Sequence, residues 1–232
     1  MEKDYIIESE KVWDSIAKSF DKTRNKPWKQ CINFIKSLKH TDSVADLGCG
    51  NGRHLIICAE HYKQVIGLDI SKELLGIVKN KLLKKNLKNA VLLHSDVRYI
   101  PIKEESVDAI LYIASLHNIK GREKRLQSLK ELKRILKKEG TALISVWSRW
   151  QDKYRKLFFK KWFIQTDKSE FGDIDIYWKQ DGFNIPRFYH LYSKKEFIED
   201  LTKAGLKIEK IESIKLCSKK YADNYFAFVT KD

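Results

Sequence analysis

Short apolar runs alternate with longer amphipathic segments through the middle of this 232-residue chain. Such runs are typical of parallel strands that are buried on both faces, because the connecting helices cover the sheet. The pattern predicts strands at about 43–47, 64–68, 91–95, 107–113 and 140–147, with helices at about 51–60, 71–85 and 122–137. Gly140 is predicted to end the last of these helices. We therefore expect an α/β fold.

The two ends of the chain add helices to this pattern. Residues 1–40 predict two amphipathic helices, the second of which begins at Pro27, because proline is favoured in a first helical turn. Near the other end, Ser193 and Glu196 have the spacing of a capping box. That motif predicts a helix that stops at Gly205.

Two strands without an intervening helix are predicted to close the chain, at about 206–215 and 223–230. Strands joined by a short connection pair in the antiparallel direction, whereas parallel strands need a long crossover. We therefore expect an antiparallel pair at one end of the sheet, a feature that a plain dinucleotide-binding fold lacks. The whole chain, 1–232, is expected to be a single domain.

An insertion is predicted at 148–186, because this segment fits no strand or helix of the sheet pattern. It mixes aromatic side chains with basic ones, the latter at Arg149, Lys153, Arg155, Lys156, Lys160 and Lys161. Cations that bind phosphates and rings that stack on bases would suit a nucleic acid. The aromatic positions 150, 154, 158 and 162 also recur as on an amphipathic helix that packs on a core. Both interpretations are open, and the insertion is expected on the substrate side.

Composition adds a partner class and a compartment. A formal net charge of +15 favours a polyanionic partner such as nucleic acid. No apolar run approaches the ~20 residues that span a bilayer, so we expect no membrane partner. Four widely spaced cysteines form no C-x-x-C pair, so they are expected to be reduced. The protein is expected to be cytoplasmic.

A glycine-rich segment follows the first predicted strand, with glycines at 48, 50 and 52 after Asp46. Such a turn lets the backbone approach a ligand closely. Its spacing differs from the G-x-G-x-x-G of nicotinamide enzymes, and it lacks the G-K-[ST] of nucleoside triphosphate loops. The segment resembles motif I of class I S-adenosylmethionine-dependent methyltransferases. The resemblance implies S-adenosyl-L-methionine as cofactor and a Rossmann-like, seven-stranded, mostly parallel sheet with one antiparallel strand and helices on both faces.

Two further carboxylates extend the predicted cofactor site. Asp69 ends the second strand, where an acid can accept hydrogen bonds from ribose hydroxyls, although it could instead cap the next helix. Asp96 resembles the family's acid beside the adenine amino group, and the alternative is an ordinary loop carboxylate. The predicted cofactor residues are Asp46, Gly48, Gly50, Gly52, Asp69, Ile70, Asp96, Val97 and Ile113. The histidines lack metal-ligand spacing, so no metal is predicted.

A more specific resemblance rests on residues 12–28, 113–118, Arg125 and 187–192. These segments resemble the tRNA wobble-uridine carboxymethyl methyltransferases and the methyltransferase domain of AlkB-homologue tRNA modification enzymes. The resemblance implies esterification of 5-carboxymethyluridine in the tRNA anticodon loop. It implies catalytic roles for Arg24, His117, Arg187 and His190, and substrate contacts from Arg24, Lys26, Trp28, Arg125, Arg187 and Tyr189. At Asn118 the family more often has a second histidine.

The chemistry of this reaction agrees with the residue types. A carboxylate is already a nucleophile at neutral pH, so the site needs no base, and cations such as Arg24 and Arg187 can position it. Less specific interpretations remain: Trp28 could simply begin a helix, His117 could be a satisfied polar residue, and Arg187 could be an ordinary loop cation. A small-molecule methyltransferase and a non-catalytic cofactor-binding subunit are the alternative functions.

The resemblance also implies a protein partner. Family members work with a small zinc-binding activator that adds a strand to the edge of the sheet. Val91, Leu92 and Leu93 would form that edge in the usual strand order, and an uncovered apolar edge strand favours pairing with another chain. We therefore expect a heterodimer.

Overall fold

A computed structural model describes residues 2–164 and 169–231, with side chains described for 8–162 and 169–231. The helices are α1 (Glu2–Thr23), α2 (Lys29–Ser37), α3 (Leu55–His61), α4 (Lys72–Lys84), α5 (Arg122–Ile135), α6 (Arg155–Ile164) and α7 (Lys194–Lys203). The strands are β1 (Ser43–Leu47), β2 (Gln64–Asp69), β3 (Ala90–His94), β4 (Val107–Ile113), β5 (Leu136–Trp147), β6 (Asp173–Trp178), β7 (Ile185–His190), β8 (Lys207–Ile214) and β9 (Asn224–Thr230).

Seven strands form the main sheet in the order β3-β2-β1-β4-β5-β9-β8. Strands β3, β2, β1, β4 and β5 run parallel to one another, and β9 runs antiparallel to both β5 and β8. The predicted fold class, including its single antiparallel strand, is confirmed. The predicted terminal strand pair accounts for that antiparallel strand.

Helices cover both faces of the sheet. On one face, α5 and α7 pack with residues such as Leu132 and Phe197 against the strands. On the other face, α2, α3 and α4 bury residues such as Ile35, Leu55 and Val78. Each apolar side chain of this size contributes roughly 1.5–3 kcal/mol when it is fully buried. Two apolar layers therefore hold the strand ends in fixed positions.

Three predicted helix boundaries differ from the structure. Helix α2 begins at Lys29 rather than Pro27, because Trp28 remains extended as its N-cap. Helix α3 begins only at Leu55, since Gly52 has a left-handed φ of +77° that a helix excludes. Gly140 does not end α5; it lies within β5, beside an irregularity in the β4–β5 pairing.

The insertion forms a small unit outside the main sheet. It contains α6 and, with residues 185–190, the two-stranded antiparallel β6–β7 sheet. Phe158 is fully buried there with Ile176 and Leu191. Trp162, in contrast, is 67% exposed. The predicted aromatic stripe is thus only partly a packing surface, because Trp150, Tyr154 and Phe158 pack in this unit whereas Trp162 stays exposed on α6.

Gly52 tests how tightly the loop after β1 packs on α4. A Cβ at Gly52 would lie 2.9 Å from Val78, whereas a Cβ at Gly182, which has the same φ of +77°, would meet nothing within 4 Å. Gly182→Ala should therefore lower the free energy of unfolding only by the cost of a left-handed backbone at alanine, about 1–2 kcal/mol. Gly52→Ala should cost a further ~1–3 kcal/mol for overpacking. Urea unfolding of both variants measures the difference, and equal losses would contradict the packing argument.

Candidate functional site

A cavity of about 850 Å³ opens at the carboxyl ends of the parallel strands. Its walls come from α1, from the loops after β1, β2, β3 and β4, and from the β6–β7 sheet. Ligands of open α/β sheets bind at this edge of the sheet, and small-molecule sites have volumes of roughly 300–1,000 Å³. Part of the insertion, including Tyr154 and Trp178, lies in the wall opposite the glycine loop.

The glycine loop contributes two of its three glycines to the cavity. Gly48 and Gly50 line it with left-handed φ values of +65° and +55°. Gly52 does not line it, and its close approach to Val78 on α4 explains why glycine is needed there. The predicted cofactor contact of Gly52 is therefore corrected to a packing role that supports the loop.

Asp69 connects the glycine loop to the end of β2. One carboxylate oxygen accepts the Gly50 N–H at 2.7 Å, and the other accepts the Ser71 N–H at 2.9 Å. Burial raises the pKa of Asp69 despite these hydrogen bonds. The N-cap of α4 is Ser71, whose hydroxyl accepts the Leu74 N–H. Asp69 therefore does not serve as the helix cap, and its remaining lone pairs are available to the cavity.

Asp46 is the second acid beneath the glycine loop. Its side chain lines the cavity but is buried, and its Oδ2 atom has no hydrogen-bond partner among the described residues. Burial, followed by the nearby Asp69, raises the pKa of Asp46 to about 7. A buried acceptor without a partner is costly, so a donor supplied by a ligand would stabilise it.

The far side of this pocket is less charged. Ile70, Val97 and Ile113 line it together with Asp96. Arg98 donates to both Asp96 oxygens, at 3.0 Å from Nε and 2.8 Å from Nη2. The Arg98 backbone N–H also donates to Asp96 Oδ1 at 2.8 Å, so Asp96 is held in one orientation rather than free in a loop.

These hydrogen-bond acceptors and apolar side chains fit S-adenosyl-L-methionine. Carboxylates at Asp46 and Asp69 offer acceptors for an ammonium group and for ribose hydroxyls, and the orphaned Asp46 oxygen calls for such a donor. The apolar side chains around Asp96 suit an aromatic ring whose edge carries an amino group. The cofactor would supply an activated methyl group at this end of the cavity.

Arg187 dominates the opposite end of the cavity. Its guanidinium is buried, 5.4 Å from the Trp13 ring, 4.9 Å from Trp178 and 5.1 Å from Tyr189. It donates from Nη1 to the Tyr189 hydroxyl at 2.7 Å, while Nε has no partner. Burial and the neighbouring Arg24 lower the pKa of Arg187. Within the part of the chain that the structure describes, no carboxylate pairs with this cation, so an anionic ligand would compensate its buried charge.

His117 stacks on the Tyr189 ring, with 5.3 Å between the ring centroids. The centroid of the Trp147 ring lies 5.5 Å from that of His117. Its Nδ1 accepts the Trp147 N–H at 3.1 Å, which assigns the ring proton to Nε2. Burial, then His190 and Arg187, lower the pKa of His117 to about 3. The imidazole is therefore neutral at pH 7. Its buried Nε2–H donor has no partner among the described groups.

Cationic and aromatic residues after α1 form the rim. Arg24 and Lys26 are exposed at the cavity mouth, and the Arg24 guanidinium lies 5.4 Å from the Trp178 ring. Trp28 builds the wall, with the Arg53 guanidinium 4.6 Å above its ring. Its place as the N-cap of α2 and its place in the wall therefore coexist.

Arg125 does not contact the cavity. It is fully buried and donates from Nε to the Tyr192 hydroxyl at 2.8 Å and from Nη2 to Glu170 at 2.6 Å. The structure contradicts its predicted substrate contact, because its donors are engaged inside the protein. Arg125 instead ties α5 to the segment before β6.

His190 is also placed away from the cavity. Its Nδ1 lies 2.7 Å from Asp173 and its Nε2 lies 2.8 Å from Glu196. Burial opposes charge on this ring, but the two carboxylates outweigh it and raise the pKa of His190. With both nitrogens engaged, His190 cannot contact a substrate in the cavity, so its predicted catalytic role is corrected to a structural one.

The same cluster has ligand atoms at metal-binding distances. Donor atoms of Glu170, Asp173 and His190 lie within 4.8 Å of one another. Their charges are already matched, since Arg125 pairs with Glu170 and His190 pairs with Asp173. We interpret the cluster as an ion-pair network that holds β7 to α7.

Several side chains of the cavity were not predicted as site residues from sequence, among them Trp147, Trp178 and Arg53. Trp178 and Trp147 enclose Arg187 and His117, and Arg53 approaches the cofactor side above Trp28. The insertion's mixture of aromatic and basic residues indicated a contact surface but could not indicate which ring faces inward. The position of Arg53 directly after the glycine loop was the sequence signal that could have identified it.

Strand β3 forms one edge of the main sheet, as predicted. Val91 is 58% exposed, whereas Leu92 and Leu93 are half-buried and pack on the two opposite cores. Among the predicted edge residues, Val91 therefore presents the accessible side chain.

The helices among the described residues include none that is both long and apolar enough to cross a bilayer.

Comparison with known proteins agrees with this geometry. Residues 45–144 match the family described as "Methyltransferase domain". A S-adenosylmethionine-dependent methyltransferase structure from Methanosarcina mazei superposes with a TM-score of 0.72 at 19% identity, over 89% of this chain and 98% of that one. The chain has the class I methyltransferase fold. The methyltransferase in a Haloferax volcanii complex with the activator Trm112 has a TM-score of 0.68 at 16% identity, covering 96% of each chain.

Curated relatives of this chain confirm the more specific resemblance. The mouse protein tRNA (carboxymethyluridine(34)-5-O)-methyltransferase ALKBH8 is 35% identical over 68% of this chain. The chain spans only 23% of that relative's length. The tRNA (carboxymethyluridine(34)-5-O)-methyltransferase of Schizosaccharomyces pombe is 29% identical over 88% of this chain and 89% of its own length.

The protonation of His117 gives a test of the site. Below pH ~6.5 the unfolded imidazole takes up a proton, while the folded ring stays neutral until about pH 3. The free energy of unfolding should therefore fall as pH decreases through this window. His117→Gln should lose that part of the pH dependence, whereas His61→Gln, at an exposed site, should keep it. Nitrogen NMR at pH 5.5 should show a neutral Nε2–H ring, and a protonated ring would contradict the assignment.

Proposed function

We propose that this chain transfers a methyl group from S-adenosyl-L-methionine to the carboxylate of 5-carboxymethyluridine at the tRNA wobble position. The product is the methyl ester 5-methoxycarbonylmethyluridine. The observation that carries the proposal is the buried Arg187 guanidinium, which shares one cavity with the glycine loop and pairs with no carboxylate of the described chain. The names of the curated relatives support the substrate.

Two donors are available to hold the acceptor carboxylate. Arg187 and His117 both pack against Tyr189, and each has a buried Nε hydrogen without a partner among the described groups. Arg187 supplies the charge, while neutral His117 orients an oxygen without adding a second buried cation. This division matters because a carboxylate held by two cations would be a weaker nucleophile.

The reaction itself needs no proton transfer. A carboxylate oxygen forms the bond to the methyl carbon while the carbon–sulfur bond of the sulfonium breaks, and its electron pair remains on sulfur. The residues therefore act by alignment and by exclusion of water. Trp13, Trp147 and Trp178 form the apolar walls for this purpose, and their rings can stack on a nucleobase.

Methyl transfer to tRNA tests the proposal. Purified enzyme should form the methyl ester in tRNA that carries carboxymethyluridine, measured by nucleoside mass spectrometry. Asp69→Ala should abolish transfer through loss of cofactor binding. Arg187→Gln should lower kcat/KM about 100-fold, as misplacement of a reacting group does, while cofactor affinity by calorimetry stays unchanged.

Lys138→Gln provides the control, because Lys138 is exposed on β5 near the opposite end of the parallel strands. It should transfer methyl groups as the wild type does. Full activity of Arg187→Gln would refute the assigned carboxylate site, and methylation of free metabolites but not tRNA would refute the substrate.

We further propose that β3 pairs with a small zinc-binding activator protein to form a heterodimer. The exposed Val91 at the sheet edge supports this, as does the Trm112 complex of the Haloferax neighbour. We also propose that the enzyme acts in the cytoplasm, which the free thiols of Cys31, Cys49 and Cys58 support.

Val91→Asp tests the edge, because a charge there would oppose an added strand without entering the core. The variant should remain folded by circular dichroism but should no longer copurify with a coexpressed activator. Ile198→Asp, on α7, is a matched change of an exposed apolar residue and should retain the partner. Copurification of Val91→Asp at the wild-type level would exclude this edge.

A further inference from the structure

The turn between β8 and β9 lies beside the mouth of the cavity. Leu216 and Cys217 line the cavity, and the same turn carries exposed lysines at 215, 219 and 220. The contacts described above for the cofactor and the acceptor carboxylate do not involve these lysines. The backbone amides of the turn are held by side-chain carboxylates.

Two carboxylates hold six consecutive amide groups of this turn. Asp223 accepts the N–H groups of residues 216, 217 and 218 at 2.8, 2.6 and 2.7 Å. Asp152, from the insertion, accepts those of residues 219, 220 and 221 at 2.8, 3.0 and 3.0 Å. These backbone hydrogen bonds, led by that of Lys220, lower the pKa of Asp152. Both nearby acids thus bind backbone amides rather than the lysine side chains, although the Lys215 ammonium donates to the Lys219 carbonyl at 3.4 Å.

An aromatic ring lies among these cations. The Tyr221 ring, 37% exposed, has the Arg155 guanidinium at 4.6 Å and the Lys220 ammonium at 5.5 Å. Lys153 continues the basic surface to the cavity, whose wall it joins. We call this the turn surface; it comprises Lys153, Arg155, Lys215, Lys219, Lys220 and Tyr221. Its cations form no salt bridge with a carboxylate of the described residues.

We propose that the turn surface binds the phosphate backbone of the RNA strand that flanks the nucleotide in the cavity. The inference rests on the proposed function, because it takes the cavity to hold one nucleotide of a longer RNA. Unpaired cations around an exposed aromatic ring are the features that bind single-stranded nucleic acid. An RNA strand leaving the cavity past Cys217 would meet Lys219 and Lys220 first, and the fixed backbone would present them without a backbone ordering cost.

Removal of the two lysines tests the proposal. For Lys219→Gln/Lys220→Gln, the dissociation constant for tRNA should rise at least tenfold at 0.1 M salt. The slope of log affinity against log salt should become shallower by about 1.4, at roughly 0.7 per single-strand phosphate contact. The kcat at saturating tRNA should stay unchanged. Lys36→Gln/Lys39→Gln removes the same charge near the amino end of β1, whereas the cavity lies at the carboxyl ends of the parallel strands, and this control should bind as the wild type does.

Asp152→Asn separates the fixed backbone from simple charge. This variant loses one negative charge, which raises the net positive charge by one. A purely electrostatic surface would therefore bind tRNA more tightly. If the turn must be held by Asp152, affinity should instead fall several-fold, while the thermal midpoint of the whole chain, measured by circular dichroism, stays unchanged. Tighter binding would refute the role of the fixed backbone.

The outcomes also separate this inference from the proposed function. Equal tRNA affinity for the turn and control variants would overturn the turn surface, whether or not the wild type methylates tRNA. A wild type that binds tRNA through these lysines but forms no methyl ester would support the surface and refute the reaction. If Lys219→Gln/Lys220→Gln lost heparin binding but kept tRNA binding, the assignment of the turn surface to RNA would be overturned.

Discussion

The carboxylate of Asp69 holds together the part of the molecule on which the cavity depends. It bridges the ends of β1 and β2 by accepting backbone N–H groups from Gly50 and Ser71. A buried carboxylate is tolerated only when such donors surround it, so the loop and the strand end constrain each other. The same loop is fastened to α1, because Asn51 donates to Asp21 on that helix. The amino-terminal helix thereby becomes a wall of the site.

Charge divides the resulting cavity into two ends. Asp46 and Asp69 make the glycine-loop end acidic, whereas Arg187 makes the other end basic. A sulfonium cofactor is cationic and a carboxylate acceptor is anionic, so each end is complementary to one reactant of the proposed reaction. Both reactants lose water on entering, and the fixed charges of the protein replace that water.

Strand β7 shows how neighbouring residues can take different roles. Side chains alternate between the two faces of a strand, so Arg187 and Tyr189 face the cavity while His190 faces the ion-pair network with Asp173 and Glu196. All three belong to the segment that resembles a known family. A resemblance therefore identifies a segment, and the pleat of the strand decides which of its residues can touch a substrate.

Local pattern determined much of this protein. Apolar runs, glycine spacing and the Ser193 capping box indicated the strands, the cofactor loop and α7, since each depends on residues a few positions apart. The sequence did not indicate the pairing of Trp13 with Trp178 around Arg187, the neutral state of His117, or the lysines displayed by Asp152. Those features depend on contacts between distant segments and on burial, and only the tertiary structure brings those segments together and removes water from around them.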